Sequence, residues 1–290
     1  MQRVFITGAS SGIGAALALF YARRGAQVGL VGRREDALRE VWRSLPVPPA
    51  WAKQGISRQA GEPARGESGH GLGQPAPSDY SQWHRIYVAD VRDRPALHRA
   101  AEDFLAAGPV DIVIASAGIS VGTLTEELDD FDVFGAVMST NVNGTVATFE
   151  PFIADMKRRG GGTLVGVASV AGVRGLPGAG AYSASKAAVR CYCESLRVEL
   201  RQTGIKVVTI APGFIQTPMT AHNPYKMPFL TPVERFAAAA GRAIDRASSY
   251  TVIPWQMGLV ARLLRIVPNA LYDRVAAGRK RKPRQKPDTD

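Results

Sequence analysis

The chain has 290 residues, 46% of them hydrophobic, carries a net charge of +11 and contains two cysteines. Length and composition suit one large α/β domain with a real core and exclude a disulfide framework. Residues 2–7 are too short an apolar run for a secretory leader, and residues 250–267, broken by Arg262 and Arg265, fall short of the roughly 18 uncharged apolar residues of a membrane span.

Taken in chain order, the pattern alternates strand and helix. Residues 4–7 predict a buried strand. Residues 12–24 predict a helix, with Ala16, Leu17, Phe20 and Tyr21 at helical spacing. A second strand is expected over 27–31 and a second helix over 35–44. Strands follow at 86–89 and 111–115, separated by a helix over 95–107 whose early proline suits a first turn. A long helical region spans 131–159, with a bend near 141–144. Then come a strand at 163–168, a helix over 181–202, a strand at 206–211, a helix over 232–247 and a last strand at 250–253. Apolar, β-branched strands alternating with helices predict a parallel sheet covered on both faces. The expected fold is a single Rossmann-type α/β domain, doubly wound, of about seven strands, over residues 1–254.

Three segments stand apart. Residues 46–84 hold six prolines and six glycines without periodicity and read as a flexible insertion, with Trp51 and Trp83 as tethers. Residues 255–278 read as an amphipathic helical segment. Residues 279–290 read as a disordered basic tail. Seven of the 36 basic residues lie in 274–286, a stretch without acids. Cys191 and Cys193, two apart on a helix, point in different directions and do not pair. With so few cysteines, the expected location is the reducing cytoplasm.

The first predicted strand runs into Thr7-Gly8-Ala9-Ser10-Ser11-Gly12-Ile13-Gly14, which opens the first helix. Glycines so placed let the backbone turn and approach a pyrophosphate, and the helix N-terminus offers it free N–H groups. The end of the second strand chooses between dinucleotides. An acid there would take a ribose 2′-hydroxyl. Gly32-Arg33-Arg34 stands there instead, and a guanidinium pairs with a 2′-phosphate. NADP(H) is therefore expected over NAD(H), through Arg33 first and Arg34 second.

Tyr182 and Lys186, four apart, share one helical face. A free tyrosine titrates near 10, and a neighbouring ammonium is expected to lower that value. Ser169 closes the preceding strand, at the carboxyl edge where substrates sit. Its hydroxyl can hydrogen-bond a carbonyl as charge develops.

These motifs together resemble the short-chain dehydrogenase/reductase family over nearly the whole chain except residues 46–84 and the tail. They are the glycine loop at 7–14, Asp90-Val91, Ala115-Ser116-Ala117-Gly118, Asn141, Ser169, the run Tyr182-Ser183-Ala184-Ser185-Lys186, and Pro212-Gly213 with Thr217. The resemblance implies that Tyr182 is the general acid/base and that Lys186 binds the nicotinamide ribose and tunes Tyr182. It implies that Ser169 orients the carbonyl and Asn141 holds a water relaying protons from Lys186. Asp90 and Val91 would line the adenine pocket, and Thr217 and the backbone near Ile215 would hold the carboxamide. Gly8, Ser10, Ser11, Gly12, Ile13, Gly14, Ala117, Gly118, Pro212 and Gly213 complete the cofactor contacts. The family's usual pair of asparagines after the fourth strand is replaced here by Ala115 and Ser116.

The expected activity is hydride transfer between NADP(H) and a carbonyl or secondary alcohol, without a metal. The alternative is a non-catalytic NADP(H)-binding sensor or scaffold, which the intact Asn141, Ser169, Tyr182 and Lys186 oppose. Residues 214–231 would overhang the site, with Met219, Tyr225, Met227, Phe229 and Leu230 making an apolar, adaptable lid. Val173, Leu176 and Ile119 would extend the pocket wall. The substrate is thus expected to be apolar or lipid-like. A homodimer or homotetramer is implied by the resemblance, through the helices of Asn141 and Tyr182. The C-terminal segment packs on the protein itself or on a sister subunit, or alternatively touches a membrane surface as a peripheral contact. Nucleic acid is set aside as a partner, because the body has no aromatic–basic platform.

Overall fold

The computed structural model describes residues 1–47, 83–221, 223–278 and 281–284. Most of the insertion, including Trp51, therefore lies outside the described residues. The strands are β1 Arg3–Thr7, β2 Gln27–Gly32, β3 Arg85–Val88, β4 Ile112–Ala115, β5 Gly162–Val167, β6 Ile205–Pro212, β7 Ile215–Gln216, β8 Thr231–Pro232 and β9 Tyr250–Ile253. Seven of them form one sheet in the order β3-β2-β1-β4-β5-β6-β9. Every pairing in it is parallel. The order in which successive strands are added reverses between β1 and β4, so a crevice opens there at the carboxyl ends of the strands.

The strand sequences explain the two layers of helices. All five residues of β1 are buried. Their alternation sends Val4 and Ile6 to one face and Phe5 to the other. On the first face they meet Leu17 and Tyr21 of α1 (Gly12–Ala22), Leu38 of α2 (Glu35–Ser44) and Phe236 of α8 (Val233–Asp245). On the second they meet Phe104 of α3 (Arg94–Ala106), Phe149 and Phe152 of α5 (Gly144–Arg159) and Val189 of α6 (Gly180–Glu199). The expected fold is the observed one.

Three local features sharpen the sequence reading. The bend expected near 141–144 is a π turn, Ser139–Asn143, between α4 (Asp130–Met138) and α5. A single π turn inserted in an α-helix often marks a working residue. The overhanging segment contains a one-turn helix α7 (Pro218–Ala221), and its ends are tied by β7 and β8, with Ile215 opposite Thr231. The C-terminal segment breaks at Pro268 into α9 (Trp255–Ile266) and α10 (Asn269–Ala276), because proline cannot continue the ladder of α9.

One expectation is corrected. Residues 281–284, read from composition as part of a disordered tail, lie against the loop after β4. The Gly122 N–H donates to the Pro283 carbonyl at 2.9 Å, and Arg284 pairs with Asp130 at 2.8 Å and Glu127 at 3.1 Å. Local charge density suggested a solvated tail; distant carboxylates, invisible to that reading, bind it. Among the described residues no helix is long and apolar enough to cross a membrane.

Candidate active site

The turn between β1 and α1 is shaped by missing side chains. Gly8 holds φ +69, and a Cβ there would lie 2.6 Å from the Ala117 Cα in the turn after β4. A Cβ on Gly14 would strike the Gly8 carbonyl. Ser11 caps α1 without a side-chain hydrogen bond to the helix, whose first turn holds no acid. The first-turn N–H groups are therefore left for an anion, and the backbone can come close to it.

Beyond this turn, Arg33 and Arg34 follow β2. Arg92 grips Asp90 through Nη2 at 2.7 Å and Nε at 3.1 Å. That hydrogen bonding holds the Asp90 carboxyl below its ordinary value. Arg33 reaches the same carboxylate only at 3.8 Å, and its side chain remains 59% exposed. With Asp90 neutralised by Arg92, the Arg33 guanidinium is available to a phosphate. Arg34 sits 3.4 Å from the Ser11 hydroxyl.

The other end of the cleft holds Ser169, Tyr182 and Lys186. Ser169 leaves β5 in extended conformation, and its Oγ accepts from the Ala171 N–H at 3.1 Å. The Ser169 hydroxyl stands near the Tyr182 phenol and acts to lower its pKa. Lys186 lies one turn along α6, buried, with Nζ donating to the Val167 carbonyl at 2.8 Å. Burial pulls the Lys186 ammonium down to about 8. Burial also pushes the Tyr182 phenol above its ordinary value, outweighing the opposing effect of Ser169. The sequence reading expected a lowered phenol. The correction has a geometric reason: Lys186 Nζ stands 5.9 Å from the ring centroid and is held by Val167 instead.

Asn141 lies in the π turn with no exposed surface. Its Oδ1 accepts from the Ile119 N–H at 2.8 Å. Its Nδ2 donates to the Ile119 carbonyl at 3.0 Å and to Ser185 Oγ at 2.9 Å. The amide thus clamps the loop after β4 to α6 and does not line the cleft. Its main-chain carbonyl accepts from Thr145 Oγ1 at 2.8 Å.

One open cleft joins these groups. Gly8, Ser10, Ser11, Gly12, Ile13 and Gly14 line its first part, with Arg33, Arg34, Asp90 and Val91 beside them. Ala117, Gly118, Ser169, Tyr182, Lys186, Pro212, Gly213, Ile215 and Thr217 line the rest. Every expected site residue except Asn141 thus faces one space. Gly118 explains how the halves fit, since a Cβ there would lie 3.1 Å from Asn141 Oδ1 and 3.4 Å from Lys186 Nζ. The pocket wall departs from expectation. Ile119 and Met219 line the cleft, but Phe229 and Leu230 face a separate depression beside Trp255, and Val173 another. Thr140 also lines the cleft and gave no sequence signal, because its place there depends on contacts with distant segments.

Comparison with known proteins identifies the family. The family described as short chain dehydrogenase matches residues 2–53 and 74–227. The chain belongs to that family of oxidoreductases. An uncharacterized oxidoreductase of Myxococcus xanthus (strain DK1622) is 36% identical over 275 residues, covering 95% of this chain and 96% of its own. Dehydrogenase/reductase SDR family member 7B of Mus musculus is 32% identical over 223 residues, 76% of this chain and 59% of that one. Among solved structures, a 3-ketoacyl-ACP reductase from Sinorhizobium meliloti 1021 superposes with a TM-score of 0.69 at 27% identity, covering 89% of this chain and 99% of that chain. An alcohol dehydrogenase from the archaeon Thermococcus sibiricus, complexed with 5-hydroxy-NADP, shares the fold with a TM-score of 0.66 at 23% identity, over 87% of this chain and 96% of that one.

Proposed function

We propose that this protein is an NADP(H)-dependent oxidoreductase that reduces a carbonyl, or oxidises the matching secondary alcohol, of an apolar or lipid-like substrate. The observation that carries the reading is the Ser169 hydroxyl beside the Tyr182 phenol at one end of a cleft whose other end is the Gly8–Gly14 turn. The cofactor fits the chain's own features. Gly8 and Gly14 let the turn fold tightly, with the first-turn N–H groups of α1 left for a pyrophosphate, and the loosely paired Arg33 is available to a 2′-phosphate. When bound, the nicotinamide supplies or accepts the hydride.

The side chains supply the rest. Ser169 donates to the carbonyl oxygen and holds it beside Tyr182. The Tyr182 phenol, protonated at neutral pH, is placed to donate its proton to that oxygen as charge develops. Lys186, buried below, binds the ribose and steadies the phenolate that the donation leaves. Asn141 fixes the Ile119 loop and α6, so that Lys186 and Gly118 keep their separation.

The reading includes an assembly of two or four copies through α4, α5 and α6. Phe131, Phe134, Val146 and Val198 stand exposed on these helices. It also includes a cytoplasmic location, where the free thiols of Cys191 and Cys193 stay reduced.

The test is NADPH consumption against ketones, aldehydes, quinones and 3-oxoacyl thioesters, with Tyr182→Phe beside the native protein. Turnover that the variant loses supports the reading. Tight NADPH binding without turnover on any compound would move the sensor alternative ahead of it.

A further inference from the structure

The C-terminal residues 281–284 place a second ammonium at the catalytic tyrosine. Lys282 Nζ lies 5.7 Å from the Tyr182 ring centroid and donates to Ser120 Oγ at 2.6 Å. Ser120 follows Ile119, whose side chain lines the cleft. Lys282 therefore stands beside the Tyr182 ring, at the edge of the cleft that Ile119 and Tyr182 line.

Its position is held from both sides. Upstream, Arg281 packs on Gly178, where a Cβ would lie 2.8 Å from the Arg281 Cβ. Downstream, Arg284 is fixed by Glu127 and by Asp130, a carboxylate only 4% exposed that also accepts from the Leu124 N–H at 2.7 Å. Among the described residues, no carboxylate lies within ion-pair distance of Lys282. Burial lowers its pKa below the ordinary lysine value. A half-buried ammonium anchored at an active site, with a hydroxyl beside it and no counter-charge, is arranged to receive an anion.

We propose that Lys282 is a specificity-determining residue that binds a carboxylate of the substrate, close in bonds to the reacting carbonyl. One ammonium and one hydroxyl match the single charge of a carboxylate better than the double charge of a phosphate. The inference rests on the reductase reading above and refines it. The substrate is then amphiphilic, a keto acid whose apolar part meets Ile119 and Met219.

The experiment compares medium-chain γ-keto and δ-keto acids with their methyl esters, using the full chain and NADPH. The native protein is expected to prefer acid over ester in kcat/KM. Lys282→Met is expected to lower that ratio about tenfold, the size of a charge-assisted hydrogen bond. Arg284→Ala, which releases the anchor, is expected to lower it in the same sense. An unchanged ratio in Lys282→Met overturns the proposal, and so does a native enzyme that prefers the esters. If neither compound is reduced, the activity reading has failed for these substrates, and calorimetry on the NADP-loaded protein still decides the residue. Acid binding that Lys282→Met weakens supports the role, while equal binding or none overturns it.

Discussion

Lys186 stands one helical turn from Tyr182, yet its ammonium is hydrogen-bonded to the Val167 carbonyl at 2.8 Å and lies 5.9 Å from the tyrosine ring centroid. The lysine is thus locked to the end of β5, not to the phenol it serves. Its influence on Tyr182 is that of a fixed charge at a distance, which a mobile side chain on the surface could not supply.

That arrangement has a pH signature. Reduction needs a protonated Tyr182 and a charged Lys186. Burial pushes the phenol up but brings the ammonium down to about 8. As pH rises, the lysine charge is lost first. The alkaline limb of kcat/KM in the reductive direction is expected near pH 8. Lys186→Arg keeps the charge to far higher pH, so the limb should move upward in whatever activity remains. A limb that stays near 8 would assign it to another group.

Arg33 should govern the choice of dinucleotide. Removing a charge-assisted contact to a 2′-phosphate costs about 1.5–3 kcal/mol. Arg33→Ser is therefore expected to weaken NADPH binding by roughly 10- to 100-fold while changing NADH binding little. Kd values from cofactor fluorescence check this. An equal effect on both cofactors would place Arg33 elsewhere than at the 2′-position.

Asn141 should matter to stability as well as rate. Asn141→Leu leaves the Ile119 N–H and carbonyl without their partner inside the protein and removes the donor to Ser185 Oγ, which keeps its own bond to the Tyr182 carbonyl. Each buried group so orphaned costs about 1–3 kcal/mol. A loss of at least about 2 kcal/mol is expected, visible as a clear fall in Tm, together with loss of turnover. A variant with native Tm and lowered rate would mean that the clamp is not structural.

His84 sets an acid limit on folding. Its ring is buried, the Val28 N–H donates to Nδ1 at 3.1 Å, and Nε2 lies 3.1 Å from the Pro46 carbonyl. Burial lowers its pKa to about 4. Between the unfolded value near 6.5 and this folded value, the unfolded chain binds the extra proton. Stability should therefore be intact above pH 6.5 and fall progressively toward pH 4, by up to about 3 kcal/mol from this residue. Denaturant unfolding at several pH values measures the slope, and His84→Phe should flatten it.

The sequence alone determined the sheet, the glycine turn and the line of Ser169, Tyr182 and Lys186. Those signals are local: buried strands read as short apolar runs, α6 carries its tyrosine and lysine four apart, and a strand running into glycines marks a phosphate turn. Even the interruption at Asn141 was visible as a bend. Tertiary structure decided what depends on partners far along the chain. It turned the Asn141 amide inward to Ile119 and Ser185, sent Phe229 and Leu230 away from the cleft, and paired Ile215 with Thr231. It also brought Lys282 to Tyr182 across 100 residues of sequence by pairing Arg284 with Asp130. No periodicity or composition records such contacts, because hydrogen bonds and ion pairs between distant segments exist only once the chain has closed on itself.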